Sequence, residues 1–349
     1  MQSVNQMTKR ILIGEFFEMN PRIPLLDTRT PAEFEKGHIP GAFNLPIFSN
    51  EERAKVGTTY KQLGREEAIL LGFELTGNKW RGFIEKALEI APGKKVALHC
   101  WRGGMRSGAM AWALGFYGFE VFIIEGGYKS YRHFVLDLFE QSYPIQVLGG
   151  MTGSHKTEIL AEIAKQNQQT IDLEALANHM GSSFGSMGKR EQPTQEQFEN
   201  NLAEALRKID KNQSLWLEDE SASIGKIRLP QSLWKQMQST DVIEVCLDNE
   251  ERVNFLTKEY GVLDKNFLIE ATRHIEKRLG SNHAKDAVEA INENRMSDFI
   301  RIVLVYYDKA YKRCLERRPN ETIHSLNIDY KTAAEAADEI IKFAKQLKK

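Results

Sequence analysis

The chain has 349 residues, enough for two domains at roughly 150 residues each. Hydrophobic residues at 42% and charged residues at 27% exclude a disordered polyelectrolyte, and 47 Lys plus Arg against 48 Asp plus Glu exclude a globally basic nucleic-acid binder, leaving any such binding to local patches. Three cysteines, Cys100, Cys246 and Cys314, are too few and too far apart for a disulfide framework or a four-ligand zinc site, so a reducing compartment is expected.

The first twenty residues carry Glu15 and Glu18, a short apolar run and no secretory cleavage site. The most apolar stretch, Gly108 to Ile124, is broken by glycines and Glu120 and falls short of the roughly 20 residues of a bilayer span. A cytoplasmic protein with no membrane partner is expected. Leu25-Leu26 before Asp27, Val96 to His99 and Val121 to Ile124 read as strands; Glu66 to Ile90 and Ser107 to Tyr117 carry helical spacing. Such alternation predicts βα units around a mostly parallel sheet.

A second α/β unit begins at Ile145, where an apolar strand runs into glycines and then a helical Lys156 to Lys165. Ser214 to Glu218 and Val242 to Leu247 read as further strands, and the chain beyond Asn249 reads as almost wholly helical. Gly181 to Thr194 reads as a loop or lid. The domains are therefore expected at 1–138 and 139–349.

The segment His99-Cys100-Trp101-Arg102-Gly103-Gly104-Met105-Arg106-Ser107 follows a strand and precedes a helix. Backbone amides of such a turn converge at a helix N-terminus and make an anion nest, here formed by Trp101, Gly103, Gly104, Met105 and Ser107. The same field, with Arg102 and Arg106 flanking the turn, favours thiolate at Cys100. Cys246, in an apolar run, and Cys314, in a charged helix, read as structural or incidental. Downstream, Gly150-Met151-Thr152-Gly153-Ser154-His155-Lys156-Thr157 resembles a Walker A phosphate loop, with Lys156 placed for terminal phosphates and Thr157 for a metal ion. His155 stands where that pattern has glycine. Leu215-Trp216-Leu217-Glu218-Asp219-Glu220 delivers carboxylates to a strand end, so Glu218 and Asp219 are candidates to hold magnesium through water. No purine-specificity element is visible, and any pyrophosphate-bearing molecule fits the donors.

The cysteine segment resembles the rhodanese homology domain, as does the upstream run Asp27-Thr28-Arg29-Thr30-Pro31-Ala32-Glu33-Phe34 with Gly37-His38-Ile39-Pro40-Gly41-Ala42. Rhodanese-type transfer would place sulfur or a congener on Cys100. The spacing from Cys100 to Arg106 also satisfies a cysteine phosphatase, which would need a general acid. Glu125 is the nearest candidate.

The two loops in this order, with Glu218-Asp219-Glu220-Ser221 followed by Ile224-Gly225, resemble the tRNA 2-selenouridine synthase family. The resemblance implies an α/β chain in which a rhodanese-like parallel-sheet domain precedes a P-loop NTPase-like α/β domain with a helical C-terminal region. It further implies replacement of sulfur by selenium at C2 of a wobble 2-thiouridine, with selenophosphate as donor and an S-geranyl intermediate made from geranyl diphosphate. Cys100, Arg102 and Arg106 would carry the first chemistry, and Gly150, Gly153, Ser154, Lys156 and Thr157 would hold the diphosphate. No tightly bound cofactor is expected; magnesium is a candidate only, its requirement left open. Expected partners are tRNA and, transiently, the enzyme that makes selenophosphate. Candidate tRNA contacts are Arg273, Lys277 and Arg278, at helical spacing beside His274, with Tyr128 to His133 and Lys189-Arg190 as lesser clusters. Trp101 and Met105 would line a prenyl chain, stack a base, or pack as core. The alternative readings are a thiosulfate sulfurtransferase fused to an NTP-binding domain, a cysteine phosphatase, and a docking module without chemistry.

Overall fold

Parallel strands joined by helices build both five-stranded sheets of the computed structural model, which describes residues 8–19, 21–179, 184, 191–319, 322–329 and 331–347. The chain separates into two units, one running to Leu138 and including Glu199–Glu204, the other comprising Phe139–Phe198 and the chain from Ala205.

In the first unit the elements are β1 (Thr8–Ile11), α1 (Ile13–Glu18), β2 (Leu25–Asp27), α2 (Pro31–Lys36), β3 (Phe43–Asn44), α3 (Asn50–Gln62), α4 (Arg65–Thr76), α5 (Trp80–Ile90), β4 (Lys95–His99), α6 (Met105–Tyr117), β5 (Glu120–Ile124) and α7 (Gly127–Phe139). The sheet order is β1-β5-β4-β2-β3, all parallel. Strand β4 is central and its Val96, Ala97 and Leu98 are fully buried, as the unbroken apolar run of an inner parallel strand requires. Leu98 and Val96 pack with Leu26, Met110, Leu114 and Ile123, each such burial stabilising by about 1.5–3 kcal/mol. The helical stretch expected at Glu66 to Ile90 is two helices, interrupted after Thr76. Strands β1 and β3 carry no pattern that sequence reading detects, because β1 is an edge strand with exposed Lys9 and Arg10 and β3 is two residues long.

Under the end of β4 lies a buried ion pair. Arg29 grips Asp27 through Nε at 3.0 Å from both carboxylate oxygens and Nη2 at 2.5 Å from Oδ2, and also donates to the Gly37 carbonyl at 2.8 Å. The Tyr128 ring covers the guanidinium at 3.6 Å. Burial pushes the Asp27 carboxyl up, but His99 and Arg29 outweigh it and hold it below the usual carboxylate range. The stability this contributes is present above the unfolded value of about 3.9 and is lost as pH falls through the lower folded value.

The second unit contains β6 (Ile145–Gly150), α8 (Lys156–Lys165), β7 (Gln169–Ile171), α9 (Leu173–Leu176), α10 (Gln195–Leu206), β8 (Leu215–Glu218), β9 (Ser223–Ile224), β10 (Ile227–Arg228), α11 (Gln231–Gln238), β11 (Val242–Cys246), α12 (Asn249–Gly261), α13 (Lys265–Leu279), α14 (Ser281–Asn292), α15 (Met296–Leu315), β12 (Ile323–Asn327) and α16 (Ala333–Leu347), the middle of α10 grouping with the first unit. Its parallel sheet has the order β12-β11-β6-β8-β7, so β6 sits where the strand order reverses and opens a crevice at its carboxyl end. Leu148, Ile159, Trp216, Ile243 and Ile340 form the sheet core, and Val253, Leu268, Phe299 and Val303 form a helical one.

The described chain beyond Asn249 is helical as expected except for one strand, Ile323–Asn327, which adds β12 to the edge of the sheet with Val242 opposite Ile323. Being half-covered, β12 tolerates His324, Ser325 and Asn327 and shows no apolar run. Of the lid expected at Gly181 to Thr194, Phe184 and residues 191–194 are described, and Phe184 is buried; the rest, with Lys189-Arg190, lies outside the described residues. Among the described residues no helix is long and apolar enough to cross a membrane.

Replacing Arg29 by Ala strands the Asp27 charge in the core and is expected to cost about 3–5 kcal/mol in urea unfolding of the full chain. A loss below about 1 kcal/mol, the level of an exposed pair, would show that this pair does not hold the unit.

Candidate active sites

Cys100 sits one residue past β4 with 3% of its surface exposed, and the turn Trp101 to Gly104 carries the chain into α6. The sulfur is met by the Gly104 amide at 3.3 Å and by the Ser107 hydroxyl at 3.3 Å. Two glycines make this approach possible. Gly103 has φ +63°, and a Cβ there would lie 2.7 Å from the Ile124 carbonyl; at Gly127, φ +60°, a Cβ would lie 2.3 Å from the Cys100 carbonyl. The Tyr128 and Lys129 amides then brace the Cys100 and Trp101 carbonyls at 2.9 and 3.0 Å.

Burial pushes the Cys100 thiol up, but hydrogen bonds from the Ser107 hydroxyl and amide and the Arg102 amide, with the Arg106 charge behind them, bring it below its ordinary range. The thiolate is favoured as expected, by a different division of labour. Arg106 is clamped by Glu33, Nη1 to Oε2 at 2.6 Å and Nη2 to Oε1 at 3.2 Å, while the same carboxylate accepts from the Thr30 amide and caps α2. Arg102 is exposed and acts on the sulfur through its backbone. The picture of two guanidiniums flanking the sulfur is thus corrected to amides, a hydroxyl and one shared guanidinium. Arg10, which the sequence reading missed, reaches from β1 to within 3.4 Å of the Gly103 carbonyl.

Trp101 is 39% and Met105 55% exposed, so neither is core, and Trp101 leans on the Tyr128 ring at 5.8 Å. Tyr128 and Tyr131 are buried and Arg132 is bound by Glu199 and Asn200, so the cluster from Tyr128 to His133 offers no aromatic stacking face. Cys246 is half-buried with its thiol pushed up by burial, and Cys314 is exposed.

In the second unit β6 ends at Gly150 and α8 begins at Lys156, so the phosphate-loop sequence forms a strand-turn-helix. His155 has φ 59° and ψ 24°, the left-handed conformation that explains the glycine of the usual pattern and costs other residues about 1–2 kcal/mol. Its ring packs on Phe255 with centroids 3.9 Å apart. Lys156 Nζ donates to the Gly150 and Met151 carbonyls at 2.8 and 3.3 Å. Tyr311 accepts from the Gly150 amide at 2.7 Å, and buried Arg252 holds the Thr152 carbonyl at 2.9 Å while pairing with Asp308. Ser154 is 1% exposed, and its hydroxyl has no hydrogen-bond partner among the described residues.

The loop opens on a cavity of about 310 Å³ whose walls include Gly150, Gly153, Ser154, Lys156 and Thr157 together with Glu218 and Asp219. Glu218 is 2% exposed, its Oε1 lacks a partner among the described residues, and burial, only partly offset by Lys156, pushes its carboxyl up to about 7. Burial, with Glu174 and Glu218 beside it, also pushes Glu220 well above the usual range. Asp219 is different. Arg318 binds it at 2.7 Å and also donates to the Met237 and Thr240 carbonyls, so Asp219 is committed to a structural pair and Glu218 with Thr157 is the donor set that fits magnesium. Among the described residues no three His, Cys, Asp or Glu side chains are grouped to hold a metal by themselves. Arg273, Lys277 and Arg278 are exposed on α13 away from this cavity's lining, Arg278 reaching the Tyr306 hydroxyl at 3.4 Å.

Comparison with known proteins follows the same division. Residues 15–133 match the family described as rhodanese-like domain, and residues 143–340 match that described as tRNA 2-selenouridine synthase AAA domain. A protein of Shewanella oneidensis named tRNA 2-selenouridine synthase is 35% identical over 86% of this chain and 88% of its own; one of that name from Nitrosomonas eutropha is 33% identical over 93% and 95%. A solved N-terminal domain of a Clostridium difficile 630 protein named for ATP or GTP binding is 39% identical, covering 37% of this chain and 99% of that domain with a TM-score of 0.35.

With Cys246 and Cys314 replaced by Ser, iodoacetamide should alkylate Cys100 with a pH midpoint below the roughly 8.5 of a free thiol. Ser107→Ala should raise that midpoint by removing a donor, and Glu33→Gln should lower it further by releasing the Arg106 charge. A rate that climbs through pH 9 in the parent would refute the assignment.

Proposed function

Because the chain belongs to the tRNA 2-selenouridine synthase family, we propose that it exchanges sulfur for selenium at C2 of a wobble 2-thiouridine in tRNA, through an S-geranyl intermediate. The observation that carries this reading is the presence in one chain of two separate oxyanion sites, a thiolate-favouring amide nest at Cys100 and a lysine-bearing phosphate loop, matching two phosphorylated donors.

At the phosphate loop, the amides at the start of α8 and Lys156 bind the diphosphate of geranyl diphosphate. Magnesium held by Thr157 and Glu218 would neutralise further charge on the leaving group. The thiouridine sulfur attacks C1, the C1–O bond breaks with its electron pair passing to diphosphate, and the N3 proton is released. At the Cys100 nest the anionic end of selenophosphate settles on backbone N–H groups, with Arg10 and Arg102 at the rim. Selenium attacks C2, the tetrahedral centre collapses, and geranyl thiol departs with a proton; water then cleaves the P–Se bond and releases phosphate. The Cys100 thiolate assists this half of the reaction. Arg273, Lys277 and Arg278 contact the tRNA backbone.

Incubation with 2-thiouridine tRNA, selenophosphate and geranyl diphosphate, read by nucleoside mass spectrometry, should yield 2-selenouridine. Lys156→Ala should slow geranylation about 100-fold, the loss of a strong charge-assisted contact, yet still convert tRNA that is already geranylated. Cys100→Ala should accumulate the S-geranyl nucleoside. Turnover of thiosulfate with no change in any nucleoside would replace this reading by a plain sulfurtransferase. Reversing Arg273, Lys277 and Arg278 to Glu should weaken tRNA binding at least about tenfold at low salt and flatten its salt dependence.

A further inference from the structure

A second cavity, of about 360 Å³, lies beside the phosphate loop and is within the ~300–1,000 Å³ range of small-ligand sites. Its floor is apolar, made by Ile159, Leu247, Ile328, Ala333 and Ala336, while Glu251, Asn254, Lys258, Lys331 and Thr332 complete its lining. It has only His155 and Phe255 in common with the phosphate-loop cavity, so this pair of rings, tilted 50° to one another, is the partition between the two. We propose that this second cavity is the subsite for the hydrocarbon chain of the prenyl diphosphate, with His155 and Phe255 dividing the chain from the diphosphate; the inference rests on geranyl diphosphate being the phosphate-loop substrate.

Two observations favour this cavity over the first as the place for the chain. The phosphate-loop cavity has Phe184, Leu256, Tyr260 and Tyr307 in its walls but also the half-buried Asp172, Glu174 and Glu220, and covering these carboxylates with hydrocarbon would strip their water with nothing to replace it. In the second cavity Leu247 and Ala333 are the partly exposed aliphatic side chains, above the buried Ile159, Ile328 and Ala336, and their contact with a prenyl chain removes apolar surface from water on both sides. The other observation is His155 itself. The backbone there is left-handed, where glycine is unstrained, and a glycine would leave the Phe255 face bare and the two cavities joined. A histidine maintained in that conformation supplies a ring at the one point where both cavities meet. The departure from the phosphate-loop pattern is thereby the device that converts a polyphosphate site into one that also reads an isoprenoid.

The test is calorimetry on the full chain with geranyl diphosphate, dimethylallyl diphosphate and inorganic diphosphate. The parent should prefer the ten-carbon over the five-carbon ligand. Ala333→Phe, which fills the cavity from the first turn of α16, should weaken geranyl diphosphate about tenfold or more and leave inorganic diphosphate within about twofold. His155→Gly should likewise erase the chain-length preference while retaining inorganic diphosphate, and unaltered inorganic diphosphate binding certifies that either variant is folded. Equal weakening of all three ligands, no weakening by Ala333→Phe, or a chain-selective loss produced instead by Tyr307→Ala on the phosphate-loop side would overturn the subsite. Inorganic diphosphate binding in the parent with no binding of geranyl diphosphate would overturn the substrate assignment itself, and the subsite with it.

Discussion

A buried arginine closed on an aspartate, in each unit near the carboxyl end of an inner strand, is the contact on which the rest of the molecule turns. Asp27 is the last residue of β2 and Arg29 completes the pair, while Asp219 follows β8 and is met by Arg318 from beyond α15. In both cases the guanidinium has donors to spare and spends them on main-chain carbonyls, Gly37 in one unit and Met237 and Thr240 in the other. A parallel sheet leaves its loops at the carboxyl edge without a partner strand, and a five-donor side chain fixed by one carboxylate is a compact way to order several of them at once. The functional loops, Trp101 to Gly104 and Met151 to His155, follow the neighbouring strands β4 and β6.

The two loops solve the same electrostatic problem with different means. Around Cys100 the stabilising groups are short-range dipoles, amides and a hydroxyl within reach of one sulfur, and the nearest full charge is shared with Glu33. Dipoles fixed by a rigid turn need no reorganisation when an anion forms. Around the phosphate loop the balance is reversed: one ammonium faces several carboxylates, and two of those, Glu218 and Glu220, are driven toward the neutral form by burial and by neighbouring carboxylates. A dianionic or more highly charged ligand therefore meets a site whose own negative charge is already partly discharged.

Much of this was legible in the chain. The apolar runs of β2, β4, β5, β6, β8 and β11 announced themselves because inner parallel strands bury both faces, and the glycine-bearing turns stood out because few other sequences combine them with a strand before and a helix after. Edge strands did not, since β1, β7 and β12 keep polar residues that would be at home in a loop. The pairings that decide which charged groups are free were equally invisible. Glu33 and Arg106 are 73 residues apart, Asp219 and Arg318 99 apart, and nothing local in either segment names its partner. For the same reason the sequence shows Arg106 flanking the turn without its Glu33 partner, and Asp219 as a magnesium candidate on a par with Glu218. Histidine at position 155 was seen as an anomaly, but only its backbone angle and its contact with Phe255 give it a meaning.

The order of strands in the second sheet has a bearing on how the chain is made. Strand β6 borders β8 and β11, and β11 in turn is covered on its outer side by residues 323–327, which emerge from the ribosome some 80 positions after it. In the first sheet β1 waits longer still, some 113 positions from Thr8 to its partner Val121 on β5, but it is an edge strand that keeps Lys9 and Arg10 exposed. Newly translated β11 is thus exposed along one side for several seconds at ordinary elongation rates of about 5–20 residues per second. Its central Glu244, a charge in the middle of an otherwise hydrophobic strand, is suited to keeping that temporary edge from pairing with another nascent chain.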